Sequence, residues 1–91
     1  MPEYEWDSQK NRSNFRKHGL HLSAFREIMW DHTITFEFQV VDGEERELVI
    51  GPVGDRLVVA VVTQRSDTFR VISLRHALQK EIDRWRVEMS K

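Results

Sequence analysis

The sequence predicts an α+β domain in which two N-terminal helices and one C-terminal helix pack on an antiparallel sheet of about four strands. Three observations predict it. The hydrophobic period changes at Thr33, from helical spacing before it to strict alternation after it. Turn signals then recur at Asp42-Gly43, at Gly51 to Asp55 and at Ser66-Asp67, and divide the middle of the chain into a meander. Finally, Leu78, Ile82, Trp85 and Met89 fall at i, i+4, i+7 and i+11, an apolar helical stripe. Strands run together and helices are segregated to the ends, which is the α+β order.

The elements follow in sequence. Residues 3–6 alternate and include Tyr4 and Trp6, a short strand or the lead-in to one. Asp7 is a good N-cap for a helix over residues 8–17, and Gly19 is placed to end it. Only Phe15 is large and apolar there, so most of that helix is expected to stay wet. A second helix is expected from Ser23 to Met29, with Leu22, Phe25, Ile28 and Met29 on one side. Ile34, Phe36, Phe38 and Val40 alternate with polar residues, a half-buried strand. Residues 46–50 form the next. Residues 57–62 are continuously apolar, as expected of a central strand covered on both faces. Residues 68–75 form the last strand, and a helix over 76–89 follows.

Ninety-one residues without repeats or linkers are expected to form one domain, 1–91. There is no cysteine, which excludes a disulfide framework, a thiolate zinc site and a cysteine nucleophile. No apolar run is long enough for a transmembrane helix, and the acidic start Met1-Pro2-Glu3 lacks an apolar signal region, so a cytoplasmic protein with no membrane role is expected. The net charge of −1 conceals a division. Residues 9–19 hold four basic residues and no acid, residues 20–63 are net −5, and residues 64–91 are net +3. If the two basic regions meet, they form a basic face.

The arginines of the last hairpin are the first functional candidates. With Ser66-Asp67 as a two-residue loop, Arg65, Thr63 and Arg70 share one face of the sheet, and strict alternation puts Arg75 on the other. A guanidinium is a planar fork that matches phosphate, although exposed strand arginines also serve simply as solvated edge residues. His18 and His21 have an H-x-x-H spacing without a third ligand, so no metal site is expected. His18 at the end of the first helix suits the helix dipole, and beside Lys17 it is also a candidate titrating group. Glu81 lies on the final helix.

Several of these residues together carry a resemblance. Tyr4-Glu5-Trp6-Asp7 followed by Lys10, Asn14 and Lys17-His18-Gly19, then Gly43-Glu44-Glu45-Arg46 and Ile50-Gly51, then Arg56-Leu57, Thr63, Arg65, Arg70, Ile72-Ser73, Arg75, Ala77 and Glu81, resemble the BrnT toxins of type II toxin–antitoxin pairs over residues 4–85. Leu74 and Trp85 depart from that pattern. The resemblance implies a RelE-like fold, an endoribonuclease that blocks translation without a metal or other cofactor, and a BrnA-like antitoxin with a DNA-binding ribbon-helix-helix region. Operator DNA is then reached only through the antitoxin, in a toxin–antitoxin hetero-oligomer. On this reading Arg65, Arg75, His18 and Glu81 are the catalytic candidates, and Lys10, Lys17 and Arg70 the RNA phosphate-binding ones. The alternative is a non-catalytic module that docks an antitoxin or a nucleic acid through its basic face.

Overall fold

A computed structural model describes residues 2–91. It contains a five-stranded sheet in the order β1-β5-β4-β3-β2, made of β1 (Glu3–Glu5), β2 (Ile34–Val41), β3 (Glu44–Val53), β4 (Arg56–Arg65) and β5 (Thr68–His76). The last four form the expected antiparallel meander. The fifth strand is the short Tyr4 segment, which pairs in parallel with the start of β5, Tyr4 opposite Phe69. The α+β class is as the sequence predicts, and the RelE-like label fits it loosely.

Helix α1 (Ser8–His18) begins and ends where its caps place it. The Asp7 carboxylate accepts the Lys10 backbone N–H at 3.0 Å, which holds the Asp7 carboxyl below the usual aspartate range. Gly19 closes the helix at φ 72°, a left-handed conformation that costs glycine no Cβ clash. The second helix is not α-helical. Leu22–Glu27 is a 3₁₀ helix, and a further 3₁₀ turn spans Trp30–His32. The reason lies in the spacing: Leu22, Phe25 and Ile28 recur every three residues, which aligns them on a 3₁₀ helix, and all three are buried.

These three side chains join Leu20, Val49, Val58, Ala60, Val62, Val71 and Leu74 in the core between the sheet and the N-terminal segments. Tyr4, Phe25, Trp30 and Phe69 form an aromatic cluster at its rim, where the Trp30 Nε1–H donates to the Tyr4 hydroxyl at 2.8 Å. Strand β4 is covered on both faces, as its unbroken apolar run predicts, with Val59 buried on the face opposite Val58 and Ala60.

Helix α2 (Gln79–Met89) covers that second face. It starts later than expected because β5 continues to His76, still paired with Val58. Ile82, Trp85 and Met89 are half-buried, but Leu78 is exposed and no residue of α2 is fully buried. The stripe is therefore a thin contact layer near Pro52 and Leu57. The Trp85 Nε1–H donates to the His32 carbonyl at 2.6 Å, and the Arg84 guanidinium lies over the Phe36 ring, 5.5 Å from its centroid.

Candidate functional site

The chemistry-bearing residues gather along β5, and a bulge decides where they point. Val61 pairs with Ser73 and Val62 with Val71, so Ile72 is an extra residue in the ladder. The bulge reverses the parity of everything after it. Arg75, opposite Val59, therefore shares a face with Ser73, Arg70 and Arg65, contrary to the expectation from strict alternation. Alternation alone could not reveal this, because a one-residue insertion has no fixed sequence signal.

Beyond Arg70, β5 has no strand on its β1 side among the described residues, and α1 packs against that edge. Asn14 makes the join. Its Nδ2 donates to the Leu20 carbonyl at 2.8 Å and to the Leu74 carbonyl at 2.7 Å, and its Oδ1 accepts the Leu74 N–H at 3.1 Å. Buried at 6% exposure, this amide stands in for a neighbouring strand. It places one side of α1 against the bulge. Lys10, Ser13, Lys17 and His18 line a groove of about 200 Å³ there with Ile72 and Ser73. The spacing of Lys10, Asn14 and Lys17, i, i+4 and i+7, carried the signal for this side. Ser13 was missed by the sequence reading, and Ser73 entered only within the Ile72-Ser73 of the resemblance, since a serine gives no signal of its own until its neighbours are known.

The two sets of cations are held differently. Lys10, Arg12, Arg16 and Lys17 make no ion pair among the described residues. On the strands Arg46, Arg65, Arg70 and Arg75 do. Arg75 forms a two-pronged bond with Glu81, Nη1 to Oε1 at 2.7 Å and Nη2 to Oε2 at 2.8 Å. Glu81 also accepts the Leu78 N–H at 2.8 Å, at the start of α2. The Arg75 guanidinium holds the Glu81 carboxyl below the usual range, and Glu81 in turn raises Arg75. Arg65 pairs with Glu44 at 2.7 Å, which lowers the Glu44 pKa, and Arg70 reaches Glu5 at 3.4 Å.

The structure brings Lys10, Lys17 and His18 together in the groove, with Arg75 two residues beyond Ser73 on β5. It does not bring Arg65 to them. On β4, Arg65 and Val59, the partner of Arg75, are six residues apart, which is roughly 20 Å along the strand. His21 does not join His18. Its ring stacks on Phe15, 4.2 Å between centroids. Arg46 was also passed over. It lies on the arginine face beside Glu44 at 3.5 Å, and its Nε is buried without a hydrogen-bond partner.

A small α+β domain with a cationic groove where a helix closes a strand edge is the class of protein that fold and site define. Comparison with known proteins makes the class specific. The family described as the ribonuclease toxin BrnT of type II toxin–antitoxin systems matches residues 6–81, and the chain belongs to it. That family implies an antitoxin partner. Among solved structures, the 1.1 Å crystal structure of the Brucella abortus ribonuclease toxin BrnT is similar, with a TM-score of 0.62 and 23% identity over 87% of this chain and 100% of that one. It shows the shared fold. No curated protein matches the sequence. Among the described residues, no helix is long and apolar enough to cross a membrane.

Proposed function

We propose that this chain is a cytoplasmic toxin that blocks translation by cutting RNA at the groove between α1 and β5, with its own cations in place of a metal. The observation that carries the proposal is that the free cations Lys10 and Lys17, with His18, line one groove. There Lys10 and Lys17 hold a phosphate of the RNA. Arg75, kept in a fixed plane by Glu81, stabilises the charge that builds on the phosphorane oxygens. His18 exchanges the proton: the 2′-oxygen attacks phosphorus, its proton passes to the imidazole, and the P–O5′ bond breaks with protonation of the leaving oxygen. Glu81 already spends its oxygens on Arg75 and on the Leu78 N–H, so it is a positioning residue here. Arg70 and Arg65 lie progressively farther along the same face and contact flanking phosphates. A BrnA-like ribbon-helix-helix antitoxin neutralises the toxin in a hetero-oligomer and supplies the contact to operator DNA.

Inducing the protein in a susceptible host, with expression verified, tests this. Growth arrest and RNA cleavage are expected from the parent and not from folded His18→Ala or Arg75→Ala. Full growth arrest by both variants overturns the assignment of these residues. The second reading, a binding module without catalysis, is favoured by one observation: Arg65, Arg70 and Arg75 are all already paired with carboxylates. Intact RNA and normal growth on induction of the parent decide for it.

A further inference from the structure

The face of the sheet turned away from the arginines is covered only in part. The N-terminal segments bury Val49, Val58, Ala60 and Leu74, but they do not reach the far end of β2 and β3. There Phe38 stands opposite Glu47 and Val40 opposite Glu45 on the same face, with Phe38 62% and Val40 73% exposed. Strand β2 is the outermost strand, so among the described residues the backbone groups on its outer side have no sheet neighbour.

Natural proteins blunt such edges with lysine, proline, an inward charge or a covering loop. Ile34–Val41 has no lysine and no proline, and its single charge is Glu37. Its one bulge, between Thr35 and Glu37, lies before the exposed stretch, and the ladder is regular from Glu37 to Val41. An apolar, extended, unprotected edge is a template for a further strand. Its charge selects the strand. Glu45 and Glu47 make no ion pair among the described residues, and the arginines of the strands at this end, Arg46, Arg65 and Arg70, project from the opposite face.

We infer that this edge is the docking site for an extended segment of the antitoxin that carries apolar and basic groups together on one of its faces, the apolar parts on Phe38 and Val40 and the charged ends of long basic side chains reaching over them to Glu45 and Glu47. The inference rests on the toxin reading above. The site lies at the opposite edge of the sheet from the groove, so it anchors the antitoxin without requiring the catalytic residues to form the contact.

Affinity of the purified full-length toxin for its cognate antitoxin is the test, with RNA cleavage by the free toxin measured in parallel. Phe38→Asp and Val40→Asp each place a charge where a desolvated anchor would sit, and about 100-fold weaker binding is expected. Glu45→Lys is expected to weaken binding at low salt and to approach the parent at high salt. Val87→Asp, the same kind of change at a 58% exposed position on α2, is expected to leave affinity unchanged. RNA cleavage is expected to be unaffected throughout. Parent-like binding by Phe38→Asp and Val40→Asp overturns the inference while the toxin reading stands, as does equal weakening by Val87→Asp. Failure of the parent to bind the antitoxin overturns both. A parent that is dimeric alone and becomes monomeric as Phe38→Asp assigns the edge to a second copy and overturns the antitoxin assignment.

Discussion

The cations on the two sides of β5 are fixed by opposite means. On α1 they are free of carboxylates and are positioned through the backbone, because Asn14 bolts their helix to the strand edge. On the sheet each of the three hairpin arginines is positioned by a carboxylate that also cancels its charge. The difference teaches how a protein with net charge −1 can still present a positive site. Field reaches solvent only from charges that are not neutralised at contact distance. The α1 groove keeps that field, whereas the arginine face holds ready-made forks whose carboxylates must be displaced or bypassed before they meet phosphate.

The largest test breaks the anchor. Asn14→Leu removes three hydrogen bonds and leaves the Leu74 N–H and two carbonyls buried without partners. A loss of about 3 kcal/mol in urea unfolding is expected. RNA binding is expected to weaken as well, because the cations lose their registration. If unfolding is unchanged, the helix is held by its apolar contacts, and the contrast between backbone-held and carboxylate-held cations falls.

Next comes the Arg75–Glu81 pair, which is half-buried, with the Glu81 side chain 12% exposed. Glu81→Gln is expected to cost about 2 kcal/mol at neutral pH, from the loss of charge-assisted bonds. The sign of the pH dependence follows from the lowered Glu81 pKa. Its contribution is complete above the ordinary glutamate value of 4.5 and is lost as pH falls through the lower folded value. Arg75 is raised, so its share is complete at all working pH values and is lost only in strong alkali. The stabilities of the parent and Glu81→Gln should therefore converge as pH falls below 4.5. A difference that stays constant as pH falls from neutral to well below 4.5 would show that the glutamine disturbs packing and not the ion pair.

Much of this division was legible in the sequence, and the rest shows where reading stops. Asp7 and Gly19 marked α1, the period change at Thr33 marked β2, and the unbroken run from Leu57 to Val62 marked the central strand. Each is a local pattern with one physical cause. The 3₁₀ helix was misread because Leu22, Phe25, Ile28 and Met29 satisfy the i, i+3, i+7 spacing of an α-helix as well as the three-residue period. The parity of Arg75 failed because Ile72 is an insertion in pairing, a property of two strands together. Lys10, Lys17 and His18 were chosen from sequence, yet their place beside Ile72 and Ser73 depends on Asn14 meeting Leu74 sixty residues away. The Glu44 and Glu5 partners of Arg65 and Arg70 could not be chosen from sequence, since a carboxylate partner across strands becomes visible only when the register is known.

The smallest stability effect falls at the hairpin tip and sharpens the comparison most. Arg65 is 65% exposed, and its bond to Glu44 is open to solvent. Exposed pairs of this kind contribute little after screening and side-chain entropy. Arg65→Ala is therefore expected to leave the unfolding midpoint within experimental scatter. Its effect on RNA distinguishes two roles. As a flanking-phosphate contact about 20 Å from Arg75, Arg65 is expected to lower affinity and reduce the salt slope by about one, with the maximal cleavage rate retained. Arg75→Ala is expected to lower the rate itself by about 100-fold or more. A loss of rate in Arg65→Ala equal to that in Arg75→Ala would mean that the hairpin tip closes onto the groove when RNA is bound. The two regions would then act as one site, each set of cations supplying what the other lacks.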